Sequence, residues 1–341
     1  MTNKLIKGAK TAINKCLEVT SADRVLIITD EDTKEVGEAL RAEAEKNTKN
    51  VLYLIIEDFI KRPATKLPNA LVSQIKEFKP TVTIYAAQGQ QGELPVFRVP
   101  LIGLCTKELN CRHAHMISIT KELMEDGLNK DYDLVYKVSN NLANLLKETN
   151  KIHVTDKHGT DITFDLDVKD RKWSVFSGPI TAGEMRNLPG GEVFTCPISA
   201  NGTFVSWVLG DFLSGKYGEL TTPLTVIIKD GYVTETACEN SDIKKDFDDY
   251  IQTHKYGNRI GELGIGTLVG LQKFVGNLLQ DEKFPGVHIA FGGSYPHETG
   301  ADWDCDSHID IIAKDVSISL TTENKELEVM KKGVYQNFIL D

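Results

Sequence analysis

The sequence predicts an α/β plus α+β chain, with a Rossmann-like parallel-sheet domain over residues 1–150 and a sheet-rich second domain over residues 151–341. Two observations carry this. Apolar runs of strand length alternate with helical patterns through the first third of the chain, the order that builds a parallel sheet covered on both faces. From Lys151 the texture changes to short strands separated by turn residues.

Leu5, Ile6, Ala9, Ala12, Ile13 and Leu17 recur at helical spacing and predict an opening helix. The run 24–29 reads as a buried strand, 35–44 as a helix, 51–56 as a second strand and 70–78 as a helix. Thr81–Ala87 reads as a third strand, and His115–Ile119 as a candidate fourth. After the first strand comes Asp30-Glu31-Asp32, whose carboxylates would repel a pyrophosphate where a glycine-rich loop would cradle it. No nucleotide is expected there. Residues 133–149 predict a connecting helix. Residues 154–164 and 224–233 predict hairpins around Lys-His-Gly and Lys-Asp-Gly turns, and helices are expected near 242–254 and 267–280.

The 341 residues carry a formal net charge of −10, with 41% hydrophobic and 26% charged residues, an ordinary globular composition. The acidic balance argues against a nucleic-acid partner, which needs a basic face. No apolar run is long enough to span a bilayer, so no membrane is expected. The N-terminus lacks a signal-peptide pattern, and the six cysteines are scattered with no C-x-x-C pair. This predicts a cytoplasmic protein with reduced thiols.

Five segments of the second half place acids and histidines beside glycines. Arg186–Phe194 contains Pro189-Gly190-Gly191, a tight turn that delivers Glu192 to the start of a strand; an exposed hairpin carboxylate is the plainer alternative. Glu262 lies within Ile260–Gly266 among glycines and aliphatics. A buried carboxylate needs a partner, either a metal ion or the nearby Arg259. Glu282 precedes His288 on a loop leading into an apolar strand, where a histidine is often only a satisfied core residue. His308 and Asp310 stand two apart on a probable strand and so share a face. The acidic run holding His297, Glu298, Asp302, Asp304 and Asp306 reads as a solvated rim. Three glutamates, two histidines and an aspartate suit a pair of divalent ions (Zn, Co, Mn or Mg) better than one, and a pair would activate water and polarise a carbonyl.

The runs Asn187–Phe194, Gly261–Gly266, Glu282, His288–Gly292 and His308–Asp310, in this order, resemble the thermophilic metallo-aminopeptidase family. Weaker likeness extends upstream through Phe97–Leu101 and Ala114–Met116. The resemblance implies a metal-dependent hydrolase that removes N-terminal residues from peptides, acting as a homodimer on two metal ions. It implies that Glu192, Glu262, His288, His308 and Asp310 are metal ligands. It also implies that Glu282 is either a ligand or the general acid/base, and that Tyr295 lies near the scissile carbonyl. The same fold also serves a single-iron, ring-cleaving dioxygenase of the dihydroxypyridine type. His288, His308 and Asp310 could supply its donor set, which would leave the glutamates without a purpose.

Overall fold

The computed structural model describes residues 1–341, the side chain of Asp211 excepted. The chain forms two compact units, residues 1–132 with 178–190, and residues 133–177 with 191–341. No helix among the described residues is long and apolar enough to cross a membrane.

The first unit is built on a parallel sheet. With strands numbered along the whole chain, it holds β1 (Val25–Thr29), β2 (Val51–Ile55), β3 (Val82–Ala87), β4 (Arg112–Ile117) and β8 (Met185–Asn187), in the order β2-β1-β3-β4-β8. Every residue of β1 and β3 is buried, as a sheet covered on both faces requires. The helices Lys34–Asn47 and Asn69–Phe78 bury the apolar stripes that the sequence pattern marks. The fourth strand begins three residues earlier than its apolar run suggests, because His113 and His115 are buried within it. The fifth, Met185-Arg186-Asn187, has no apolar run to announce it; it pairs with β4 through a register of only three residues.

At the end of β1 the Asp30 carboxylate is fully engaged. It accepts from the Thr33 amide at 2.8 Å and the Gln88 amide at 2.7 Å, and it pairs with Arg62, which also bridges to Glu93. The position where a phosphate loop would open is thus filled by the chain's own ion pairs.

The second unit is a large, curled antiparallel sheet. It contains β5 (Lys151–Thr155), β6 (Asp161–Asp165), β7 (Ser174–Phe176), β9 (Glu192–Thr195), β10 (Ser199–Leu209), β11 (Glu219–Lys229), β12 (Tyr232–Ala237), β13 (Ile260–Gly266), β14 (Gly286–Gly292), β15 (His308–Ile312), β16 (Ser317–Thr321), β17 (Glu326–Lys331) and β18 (Val334–Tyr335). Both expected hairpins are present, as β5–β6 and β11–β12. The helix near 242–254 is Ser241–Ile251. The helix expected over 267–280 shrinks to Leu278–Asp281, because residues 267–277 contain Gly270 and Gly276, both at positive φ, and run as loop.

Candidate metal centre

Four neighbouring strands, in the order β15-β14-β13-β9, form the floor of the site. On their core-facing side Val193, Leu263, Ile265, Val287, Ile289, Phe291, Ile309 and Ile311 belong to one apolar cluster. The alternate residues, set two apart, point the other way. They are Glu192, then Glu262, Gly264 and Gly266, then His288, Ala290 and Gly292, then His308 and Asp310. Register places Gly266 opposite Glu192, Gly264 opposite His288, and Ala290 between Glu262 and Asp310. Small residues therefore separate the functional ones, leaving room for five long polar side chains to lean together over the sheet.

They do lean together. His288 Nε2 lies 3.2 Å from Glu262 Oε1 and 3.4 Å from Glu192 Oε2. His308 Nε2 lies 3.6 Å from Glu262 Oε2 and 3.5 Å from Asp310 Oδ1. The donor atoms form two groups, Glu192–Glu262–His288 and Glu262–His308–Asp310, each with its atoms within 4.8 Å of one another. Glu262 serves both, one oxygen to each side. The salt bridge that Arg259 could have offered Glu262 is not made; its guanidinium lies 4.2 Å from the centre of the Trp303 ring instead.

These residues fit divalent ions on the chemistry of the donor set. With metal–ligand bonds of about 2.1 Å, neighbouring donors around an ion stand roughly 3.0–3.4 Å apart, close to the separations here. The carboxylates of Glu192, Glu262, Glu282 and Asp310 are nearly buried, and Lys283 pairs with two of them, Glu192 and Glu282. Burial disfavours the charged imidazole, yet the Glu262 and Glu192 carboxylates raise His288 to about 9. Burial likewise opposes the His308 cation, but Asp310 and Glu262 lift it to about 10. The cluster thus draws in positive charge, which bound metal ions would supply. His308 Nδ1 lies 3.2 Å from the Gly293 carbonyl, a bond that fixes the ring and leaves Nε2 facing the carboxylates.

The remaining two expected residues stand at the edge of this set. Glu282 belongs to neither donor group. It lies in the turn after the short helix Leu278–Asp281, on the loop the sequence predicts, and is only 8% exposed. That helix is pinned because the Asp281 carboxylate accepts from the amides of Val275, Gly276 and Asn277. Burial pushes the Glu282 carboxyl up to about 8, with Lys283 working against the shift and Glu192 adding to it. Tyr295 sits at positive φ, with its ring 4.9 Å from that of His308 and 6.1 Å from that of Phe194. Loss of hydration and the carboxylates of Glu262 and Asp310 raise its phenol, so it remains a neutral donor. His308 and Tyr295 are the members with appreciable exposure, and they mark the open side of the site.

Sequence reasoning missed Lys283. It is 1% exposed and its ammonium lies 2.6 Å from both Glu192 Oε1 and Glu282 Oε1. In the run Asp281-Glu282-Lys283 it reads as one more loop charge; the usable signal was a lysine beside a candidate site carboxylate. The acidic stretch 297–306 contributes to neither donor group. Its Asp304 accepts from the amides of Ser294 and Cys305.

A model of the thermophilic metalloprotease (M29) family matches residues 112–335, more than half of the chain. The chain belongs to the M29 metalloprotease family. It is therefore a hydrolase of a metal-dependent class, and all the residues gathered above fall inside the matched segment. Two solved structures share the fold of this M29 protein. Wild-type AmpT from Thermus thermophilus aligns with a TM-score of 0.66 at 16% identity, covering 97% of this chain and 98% of that one. The 2,5-dihydroxypyridine dioxygenase from Pseudomonas putida KT2440 aligns with a TM-score of 0.66 at 15% identity, covering 98% and 96%. No curated protein sequence matches the chain.

Proposed function

We propose that this M29 protein is a metal-dependent aminopeptidase that removes N-terminal residues from peptides using two divalent ions (Zn, Co, Mn or Mg). The observation that carries the reading is the pair of donor groups sharing Glu262, each with one histidine and a further carboxylate. In this reading Glu192, Glu262 and His288 hold one ion, and Glu262, His308 and Asp310 the other. When bound, such a pair polarises the scissile carbonyl and lowers the pKa of water.

The chain's own residues do the rest. Glu282, beside the donor groups and outside them, moves the proton from water to the departing amine. Tyr295, neutral and at the open side, donates to the oxyanion that develops on the carbonyl. The family resemblance also supports a homodimer, which sedimentation would test.

The deciding experiment loads the purified protein with Zn²⁺, Co²⁺ or Mn²⁺ and offers a panel of aminoacyl amides, short peptides and N-acetylated peptides. Release of free N-terminal residues, abolished by a chelator and by N-acetylation, is expected. Hydrolysis that ignores the free amine, or a loaded protein that cleaves none of them, would sink the reading.

A further inference from the structure

Lys283 has no part in the chemistry above, yet it is buried inside the carboxylate cluster. Its ammonium bridges Glu192 Oε1 and Glu282 Oε1 at 2.6 Å each. Glu192 uses its oxygens in two directions, Oε1 toward Lys283 and Oε2 toward His288 Nε2 at 3.4 Å. A line of contacts therefore runs from Glu282 through Lys283 to Glu192 and on to the metal-binding groups. The backbone around Lys283 is held too: its carbonyl accepts from Leu268, its amide donates to Gln280, and the preceding Asp281 caps three amides of the 275–277 loop.

A carboxylate beside a metal-binding group is a potential ligand for the ion, because hard ions prefer carboxylate oxygens, and a competing cation can hold it back. A lysine suits that competing role: a compact charge with three donors on a stem long enough to reach two acids at once.

We propose that Lys283 is a positioning residue that holds Glu282 out of the metal shell. Its ammonium ties Glu282 to Glu192, so that Glu282 stands beside the ions without binding them and stays available as the proton carrier. The proposal rests on the aminopeptidase reading above for the proton-transfer half and on the geometry alone for the metal half.

The test is Lys283→Met, which keeps the length of the stem and removes the charge. Zn²⁺ affinity is measured by chelator competition, with kcat and KM on the best peptide. Freed of its tether, Glu282 joins the ions: Zn²⁺ binding tightens by about tenfold or more, and kcat falls by about a hundredfold or more with KM little changed. The double variant Lys283→Met/Glu282→Gln returns Zn²⁺ affinity to that of the unaltered protein. A lysine that merely fills space predicts weaker metal binding. Zn²⁺ affinity that is unchanged or weaker in Lys283→Met, or tighter binding that persists in the double variant, overturns the proposal.

Should Lys283→Met not fold, Glu282→Gln decides alone. Zn²⁺ affinity within about tenfold of the unaltered protein supports the proposal, and a larger loss makes Glu282 a ligand and overturns it. Unaltered protein that binds Zn²⁺ but cleaves no peptide sinks the functional reading while leaving the metal half of the test intact.

Discussion

Replacing Gly264 with alanine places a single methyl group where the imidazole of His288 lies. A Cβ built on Gly264 would stand 1.9 Å from His288 Nε2 and 2.2 Å from Cε1, whereas ordinary contact begins at 3.4 Å. The ring has to retreat by about 1.5 Å, and metal–nitrogen bonds tolerate deviations of only about 0.2 Å. His288 is therefore lost as a donor to the Glu192–Glu262 group, and Zn²⁺ affinity should fall at least as far as the 10–100-fold typical of a disturbed supporting residue. Stability gives a second reading of opposite sign to the usual one. Glycine to alanine at an unstrained position stabilises by about 0.4–1 kcal/mol through the unfolded chain. Here the overlap in a packed interior costs about 1–3 kcal/mol, so the metal-free variant should melt below the parent. Zn²⁺ competition titrations and thermal unfolding with and without chelator measure both. A Gly264→Ala protein with the parent's Zn²⁺ affinity and an equal or higher melting temperature would refute the placement of the ring over Gly264.

His308→Ala should lose metal and peptide hydrolysis together, as shown by bound-metal analysis of the purified variant. Tyr295→Phe should keep its metal and lose about 10²–10³ in kcat, the usual effect of removing one oxyanion donor; unchanged kcat would remove Tyr295 from the chemistry. In the metal-free protein His288 and His308 are raised to about 9 and about 10, so both are charged at pH 7 and ions must displace their protons. Zn²⁺ binding should release about two protons per chain near pH 7 and tighten as pH rises toward 9, which calorimetry in buffers of different ionisation enthalpy reads directly. Because both folded values lie above the ordinary 6.5, the imidazolium–carboxylate pairs stabilise the metal-free fold fully below about pH 6.5 and cease to do so as pH rises through 9 to 10. A metal-free melting temperature that climbs over that upper range would contradict it.

The parts of this structure that periodicity encodes were legible in the sequence. β1, β2 and β3 are runs dominated by apolar residues, and the two hairpins carry glycine turns at Gly159 and Gly231, both at positive φ. The five donor residues could be picked out because each interrupts an otherwise apolar or glycine-rich strand, where an unpartnered charge would be costly. What stayed hidden was set by tertiary context. Met185–Asn187 is a strand only because β4 offers it an edge. Lys283 matters only because Glu192, ninety-one residues earlier, arrives beside it. The 267–280 segment has helical spacing in its apolar residues, but its glycines and the Asp281 cap favour a loop.

The same fold appears in the Pseudomonas putida dioxygenase and in AmpT, at equal TM-score, so architecture alone does not choose between the two chemistries. The choice rests on side chains of the β15-β14-β13-β9 floor. A single-iron site of two histidines and one carboxylate needs both imidazoles on one ion. Here the Glu262 carboxylate stands between them, giving Oε1 to His288 at 3.2 Å and Oε2 to His308 at 3.6 Å. Each histidine has its own second carboxylate, Glu192 for His288 and Asp310 for His308. A single ion would use only one of these donor groups and leave the other as a buried imidazolium–carboxylate pair. An ion at each donor group would engage both histidines and all three carboxylates, which supports the proposed metal-assisted hydrolysis over single-iron oxygen chemistry.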